Sequence, residues 1–460
     1  MTADEFRRHG HALIDWLADY FDNVEAMPVV SRVEPGEIRA AIPDRAPEDP
    51  EPFEDILTDL DRVVMPGITH WQHPNWYAFF PANSSPPSVL AELAAAGLGV
   101  QGMMWSTSPA CTEVESAVVD WLVELLGLPQ GWKTTGSGGG VLQMSASDST
   151  HTALVVARHR AVEAGADPAS LVAYTSAQAH SSIEKGATVA GYRHLRLIEV
   201  DGDQAMSATA LARAVEDDVA AGLVPCFVGS AIGTTGTTGV DPLRAISEVA
   251  AAHGMWHHVD AAYAGTAMIC PEFRHHQDGV ELVDSYTFNP HKWMLVNFDC
   301  SVFYVADRKP LLDCLSILPP YLRNEASASG DVIDYRDWHV PLGRRFRSLK
   351  LWWVLRSYGA EGIRELIRHH VAMADELAAR LEADPRFELV APHPFALVCF
   401  RCTAGDEATS ALATAVNATN EVYWTPSVLE GRPMIRVSIG QARAEWRHLE
   451  HLWGLIDRHG

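Results

Sequence analysis

Ser285-Tyr286-Thr287-Phe288-Asn289-Pro290-His291-Lys292-Trp293 has the pattern of an apolar strand that stops at a proline turn and then presents a histidine and a lysine. A lysine is ordinarily a hydrated point charge. Between Phe288 and Trp293 it is partly desolvated, which favours the neutral, nucleophilic amine. Enzymes that work through a Schiff base display such an amine, and a Schiff-base lysine points to pyridoxal phosphate. Most lysines that follow a strand are simply solvated, so Lys292 needs partners elsewhere in the chain.

One partner lies upstream, in Met255-Trp256-His257-His258-Val259-Asp260-Ala261-Ala262-Tyr263-Ala264-Gly265. Asp260 closes an apolar strand, and a carboxylate beside a pyridine nitrogen keeps that nitrogen protonated and the ring electron-withdrawing. Ala261 and Ala262 are small enough to let a flat ring lie against the backbone. Alone, Asp260 suits a capped strand-to-helix turn equally well. A phosphate needs backbone amides and a helix start, which the stretch from Gly136-Ser137-Gly138-Gly139-Gly140 to Ser145-Ala146-Ser147-Asp148-Ser149-Thr150 supplies, with Ser147 as the expected N-cap. A glycine-rich linker ahead of a capped helix is the plainer alternative. His180, in Ala179-His180-Ser181-Ser182 after the strand-like Leu171-Val172-Ala173-Tyr174, can lie flat on an aromatic cofactor. With 21 histidines in the chain, it depends on its neighbours for that role.

Around these stretches, short apolar runs alternate with helical patterns from about residue 130 to 306: Leu171 to Tyr174, Leu195 to Val200, Val224 to Ile232, Met255 to Val259, Val283 to Phe288 and Ser301 to Val305. That alternation predicts an α/β fold, a mostly parallel sheet with flanking helices and ligands at its strand ends. Beyond Arg364 a long helix, strands at Phe387 to Val390, Ala396 to Cys402 and Met434 to Ile439, and a final helix from about Arg443 predict a small α+β domain. At the other end, Thr2 and Glu5 make a capping box, and Phe6, Leu13, Ile14, Leu17, Tyr20 and Phe21 form an apolar stripe that needs cover. The expected division is an N-terminal helical arm over 1–84, a large domain over 85–363 and a small C-terminal domain over 364–460.

The chain resembles the group II pyridoxal-phosphate-dependent decarboxylases, in particular the aromatic L-amino acid decarboxylase family. The resemblance runs through His73-Pro74-Asn75-Trp76, Ser108-Pro109-Ala110-Cys111-Thr112-Glu113, Ala179-His180-Ser181-Ser182, His258 to Gly265, Asn289 to Trp293 and Pro341-Leu342-Gly343-Arg344-Arg345-Phe346-Arg347-Ser348. It implies the fold of the PLP-dependent transferases, fold type I, and a homodimer with shared active sites in which the N-terminal arm packs on the partner. It further implies Lys292 as the Schiff-base lysine, Asp260 beside the pyridine nitrogen and His180 on the ring. Ala146, Ser147 and Asn289 are implied to hold the phosphate, with Thr235, Ala262 and His291 close to the cofactor. Tyr321, in a lid-like stretch from Leu318 to Gly330, is implied to protonate the substrate carbon after carbon dioxide leaves. Relatives with phenylalanine there form an aldehyde with oxygen, so tyrosine favours plain decarboxylation. An aldehyde synthase and a non-catalytic structural homologue stand as the alternatives.

The substrate wall is expected from Trp76, Phe79, Phe80, Pro81, Ala82, Met103 and Gly343. Phe79 and Ala82 stand where many relatives carry hydroxyls, and Met103 replaces a phenylalanine with a flexible thioether. Fewer polar handles mean weaker discrimination for phenols and catechols. The expected substrates are therefore tryptophan and phenylalanine ahead of tyrosine and dihydroxyphenylalanine.

Across its 460 residues the chain is 47% apolar and carries a formal charge of −24, which argues against nucleic acid or an anionic membrane as partner. No secretory leader pattern opens the sequence, and seven cysteines suit reduced thiols, so a cytoplasmic enzyme is expected. No metal site is expected: Cys399 and Cys402 fall on a strand facing opposite ways, and the histidine doublets lack helical zinc spacing.

Overall fold

The computed structural model describes residues 1–317 and 332–460. Its main sheet is formed by β1 (Gly139–Gln143), β2 (Leu171–Ser176), β3 (His194–Ile198), β4 (Val224–Ala231), β5 (Trp256–Asp260), β6 (Ser285–Phe288) and β7 (Ser301–Val305). The strand order is β1-β7-β6-β5-β4-β2-β3. Strands β3, β2, β4, β5 and β6 run parallel, and β7 is antiparallel to both β6 and β1. Every residue of β2, β5, β6 and β7 is buried, His257 and His258 of β5 and Ser285 and Thr287 of β6 included, because helices cover both faces.

Two strands had no counterpart in the sequence reading. The glycine-rich stretch expected to be phosphate loop becomes β1 from Gly139 onward, and only the residues after it meet the helix Ala146–Glu163. In the small C-terminal sheet, β8 (Phe387–Leu389), β9 (Leu397–Cys402) and β11 (Arg432–Ser438) are joined by β10 (Thr425–Leu429), in the order β10-β11-β9-β8. The expected boundary at 363/364 falls inside one long helical element, Arg347–Ala383, which is bent at Gly359 (φ 64°).

The basic run before this helix is consumed internally. Arg344 Nη2 donates to Glu115 Oε1 at 2.5 Å and to the Leu142 carbonyl at 2.9 Å, and Arg347 grips Asp299 at 3.1 and 3.2 Å. Both members of the Arg344–Glu115 pair are buried, so its value is in fixing the 341–347 strap against β1 more than in net stability. At the N-terminus the helix Ala3–Asn23 carries the expected capping box, with Glu5 N donating to Thr2 Oγ1 at 3.2 Å. Its apolar stripe is only half covered: Ile14, Leu17 and Phe21 share an open groove with Val89 and Leu90 of the helix Pro86–Leu98.

All seven cysteines are free thiols. Among the described residues no group of three or more His, Cys, Asp or Glu side chains could hold a metal ion. None of the described helices is long and apolar enough to cross a membrane.

Buried neutral histidines make the fold acid-sensitive. His257 bonds Ser230 (2.7 Å) and Ser247 (2.8 Å), His258 bonds Thr150 (3.2 Å) and Ser285 (2.9 Å), and His370 Nδ1 accepts from Trp293 Nε1 (2.9 Å). Burial pushes all three imidazoles down to about 3. In the unfolded chain each takes up a proton near ~6.5. Their contribution is therefore complete above that pH and is lost as pH falls toward 3, at up to ~1.4 kcal/mol per pH unit per histidine. Asp241, raised to about 7 by burial, opposes this with one proton of the other sign. The denaturant midpoint is expected to fall steadily from about pH 6 to about pH 4, and an unchanged midpoint over that range contradicts the assignment.

Candidate active site

The carboxyl ends of the parallel strands converge on one cavity of about 210 Å³. Asp260 ends β5, Asn289 follows β6, and His180 follows β2. The four-residue helix Pro290–Trp293 turns directly off Asn289, with Pro290 in its first turn and Lys292 N donating to the Asn289 carbonyl at 2.9 Å. All nine residues expected near a cofactor line this cavity: Ala146, Ser147, His180, Thr235, Asp260, Ala262, Asn289, His291 and Lys292.

The Lys292 amine lies 5.2 Å from the centre of the Phe80 ring. Burial holds it below the usual lysine range; Asp260 opposes that shift and Arg436 adds to it. It makes no hydrogen bond with a described side chain or backbone group, so burial shifts it toward the neutral, nucleophilic amine. The Asp260 carboxylate is nearly buried and accepts the Ala262 amide through Oδ1 at 2.9 Å.

His180 is open to the cavity, yet desolvation by the protein packed behind it lowers its imidazole, with Asp260 opposing and Lys292 adding. Its Nδ1 accepts the Ser182 amide at 3.1 Å, so the neutral ring carries its proton on Nε2. His291 is held the same way, its Nδ1 accepting the Cys300 amide at 2.9 Å, and burial pushes it down to about 3.

At the start of the helix Ala146–Glu163 the N-cap is Ser145, whose side chain accepts from Asp148 N, and not Ser147 as expected from sequence. Ala146 and Ser147 are thereby the first helical residues, whose amides have no partner within the helix and suit an anion.

A second cavity of about 380 Å³ opens from the first, sharing Phe80, His180, Thr235, His291 and Lys292. Of the expected substrate wall, Phe79, Phe80, Pro81 and Ala82 line it. Phe79 is 48% exposed and adopts a left-handed backbone (φ 55°) that a bulky side chain disfavours, held by its N–H on Thr425 Oγ1 at 2.9 Å.

Three expected members do not line it. Trp76 is fully buried behind Phe79, against Trp71 (4.6 Å) and Tyr423 (5.2 Å). Met103 and Gly343 belong to the 101–107 and 341–345 segments and line neither of these two cavities. Tyr321 and the rest of the lid-like stretch lie outside the described residues.

Three lining residues were missed: Trp71, Phe298 and Arg436. Arg436 had a visible cue, a charged residue inside the apolar run of β11. Its Nε and Nη2 bind the Gly236 and Thr235 carbonyls at 2.9 and 2.7 Å, and its guanidinium sits 5.5 Å from the Phe80 ring.

The donor set fits a flat, phosphorylated pyridine aldehyde. It combines an amine held below its usual range, a strand-end carboxylate, small residues at Ala261 and Ala262, free helix-start amides, and a buried Asn289 Oδ1 with no partner among the described residues.

Comparison with known proteins agrees. Phenylacetaldehyde synthase of Arabidopsis thaliana is 43% identical over 99% of this chain and 96% of its own length. Aromatic-L-amino-acid decarboxylase of Sus scrofa is 44% identical over 98% and 96%. The crystal structure of Catharanthus roseus tryptophan decarboxylase in complex with L-tryptophan superposes with a TM-score of 0.96 at 43% identity, covering 100% of this chain and 98% of that one. Residues 35–403 match the pyridoxal-dependent decarboxylase conserved domain, and with this geometry and these relatives the chain belongs to the pyridoxal-dependent decarboxylase family.

Proposed function

We propose that this carboxy-lyase converts an aromatic L-amino acid, tryptophan or phenylalanine in preference to tyrosine or dihydroxyphenylalanine, to the arylalkylamine and carbon dioxide. The observation that carries the substrate class is the second cavity. Among the described residues its wall holds Trp71, Phe79, Phe80 and Phe298 and no acidic side chain, and Arg436 lies beside them as a cation for a carboxylate. A cationic substrate side chain would find no counter-charge there, whereas an apolar ring would find aromatic faces.

When bound, pyridoxal phosphate would supply the electron sink that makes loss of carbon dioxide feasible. Ala146, Ser147 and Asn289 would hold its phosphate. Thr235, Ala262 and His291 would flank it. Asp260 would keep a proton on its ring nitrogen, and His180 would cover the ring with a neutral imidazole.

The chain's own groups then do the rest. Lys292, as a neutral amine, would anchor the aldehyde carbon of the bound cofactor, yield that position to the substrate's amino group and reclaim it as the product amine leaves. The aromatic wall excludes water, which strengthens the action of Asp260 and Arg436 on the reacting centre. Tyr321 would return a proton from its hydroxyl to the alpha carbon. The half-covered stripe on Ala3–Asn23 supports a homodimer in which the arm packs on a second copy, and Met103 and Gly343 would then face the partner's cavity.

Product analysis with tryptophan, phenylalanine, tyrosine and dihydroxyphenylalanine tests this. Amine and carbon dioxide in equal amounts are expected, with kcat/KM for tryptophan or phenylalanine about tenfold above dihydroxyphenylalanine. A strong preference for dihydroxyphenylalanine overturns the substrate assignment. The likeness to an aldehyde synthase favours one second reading, which aldehyde, ammonia and hydrogen peroxide in place of amine would establish.

A further inference from the structure

Lys292 stands on a helix of four residues, too short to hold its own orientation, and the backbone beyond it enters the left-handed region at Leu295 (φ 60°), buried and unsuited to a branched side chain. Something outside this segment must fix it. The stretch that leads into the helix Pro86–Leu98, and its first turn, do so with side chains. Asn83 Nδ2 donates to the Lys292 carbonyl at 3.0 Å, Ser85 Oγ donates to the Leu295 carbonyl at 2.7 Å, and Ser88 Oγ accepts the Asn297 amide at 2.9 Å.

Asn83 differs from the two serines in reaching the peptide of the lysine itself. It is fully buried, and the same Nδ2 also donates to the Gly440 carbonyl at 2.8 Å while its Oδ1 accepts the Ala442 amide at 3.0 Å. One side chain therefore joins three segments: Phe80 to Ala82 of the substrate wall, the lysine helix, and the turn that follows β11, the strand carrying Arg436. Buried amides with three satisfied bonds are rigid and costly to disturb.

We infer that Asn83 is a positioning residue for Lys292, fixing the lysine backbone against the wall that receives the substrate. This rests on the proposed role of Lys292. The step it serves is the bonding of the neutral Lys292 nitrogen to the aldehyde carbon of pyridoxal phosphate, in which the carbonyl oxygen departs as water with the two amine hydrogens. A misplaced lysine backbone slows that step more than it weakens substrate binding.

The test uses the full-length chain, stripped and reconstituted with pyridoxal phosphate, and measures how fast borohydride-reducible label appears at Lys292, alongside kcat, KM and the melting temperature. Asn83→Ala is expected to slow labelling and lower kcat by about 10- to 100-fold, with KM changed less than about threefold. Asn83→Ser, which keeps one donor, is expected to recover part of the rate, and it carries the test if the alanine variant does not fold. Ser88→Ala removes a bond of similar burial farther along and is expected to lower the melting temperature without slowing labelling.

Normal labelling in a folded Asn83 variant overturns the inference. So does equal slowing in Ser88→Ala, which would mean general loosening. Absence of label at Lys292 in the unaltered chain overturns instead the reading beneath it.

Discussion

Replacing Lys292 by alanine is expected to reduce decarboxylation by at least about 10³-fold, without rescue by excess pyridoxal phosphate. The amine is desolvated beside Phe80 and held below its usual range, and no other lysine lines either cavity. No neighbour can therefore take over its nucleophilic role. A methionine at the same position separates chemistry from folding. The amine makes no hydrogen bond with a described residue and its burial is offset only in part by the Asp260 charge, so Lys292→Met should leave the empty protein about as stable as the unaltered chain. Loss of activity with an unchanged melting temperature is the expected pair. Appreciable residual turnover in the alanine variant would contradict the assignment.

Asp260→Ala is the second large effect. The carboxylate is nearly buried at the end of β5, and its charge raises both His180 and Lys292 against the desolvation that lowers them. Removing it would take away the partner of a buried cationic ring and push both neighbours further down. Leaving a buried charge without its partner costs about 3–5 kcal/mol. At 1.36 kcal/mol per decade, kcat should fall between about 10²- and 10⁴-fold. Asp260→Asn keeps the shape and the bond to Ala262, so a similar loss there identifies charge as the cause. Wild-type kcat in the asparagine variant would show that no protonated ring nitrogen depends on Asp260.

The parts of this site that were legible in the sequence share a physical reason. Strands covered on both faces need no polar face, so β2, β4, β5, β6 and β7 stand out as short runs rich in apolar and aromatic residues, and the polar residues just past such a run lie at the ligand-facing edge. Asp260 and Lys292 are visible on that ground.

β1 is hidden because two of its residues are glycines, and the structure explains why. A Cβ on Gly139 would meet the Trp338 ring at 2.5 Å, and one on Gly140 the Tyr304 ring at 2.5 Å, so the apolar mass belonging to this strand is supplied by distant aromatics. β10 is hidden by Pro426, tolerated because β10 is an edge strand.

Ser145 and Ser147 are equally good caps by composition, and only the backbone of Ser145 (φ −157°, ψ 162°) decides between them. Trp71, Phe298 and Arg436 reach the cavity from elements far apart in the chain, so nothing local marks them as neighbours. Met103 and Gly343 were assigned through resemblance alone, and a single chain does not bring them to its own cavity.

The most direct test of the account is chemical. Reconstitute the full chain with pyridoxal phosphate, reduce it with borohydride, and map the labelled peptide. One label per chain is expected, on Lys292 in Asn289-Pro290-His291-Lys292-Trp293. Label on another lysine, or none at all, would contradict it.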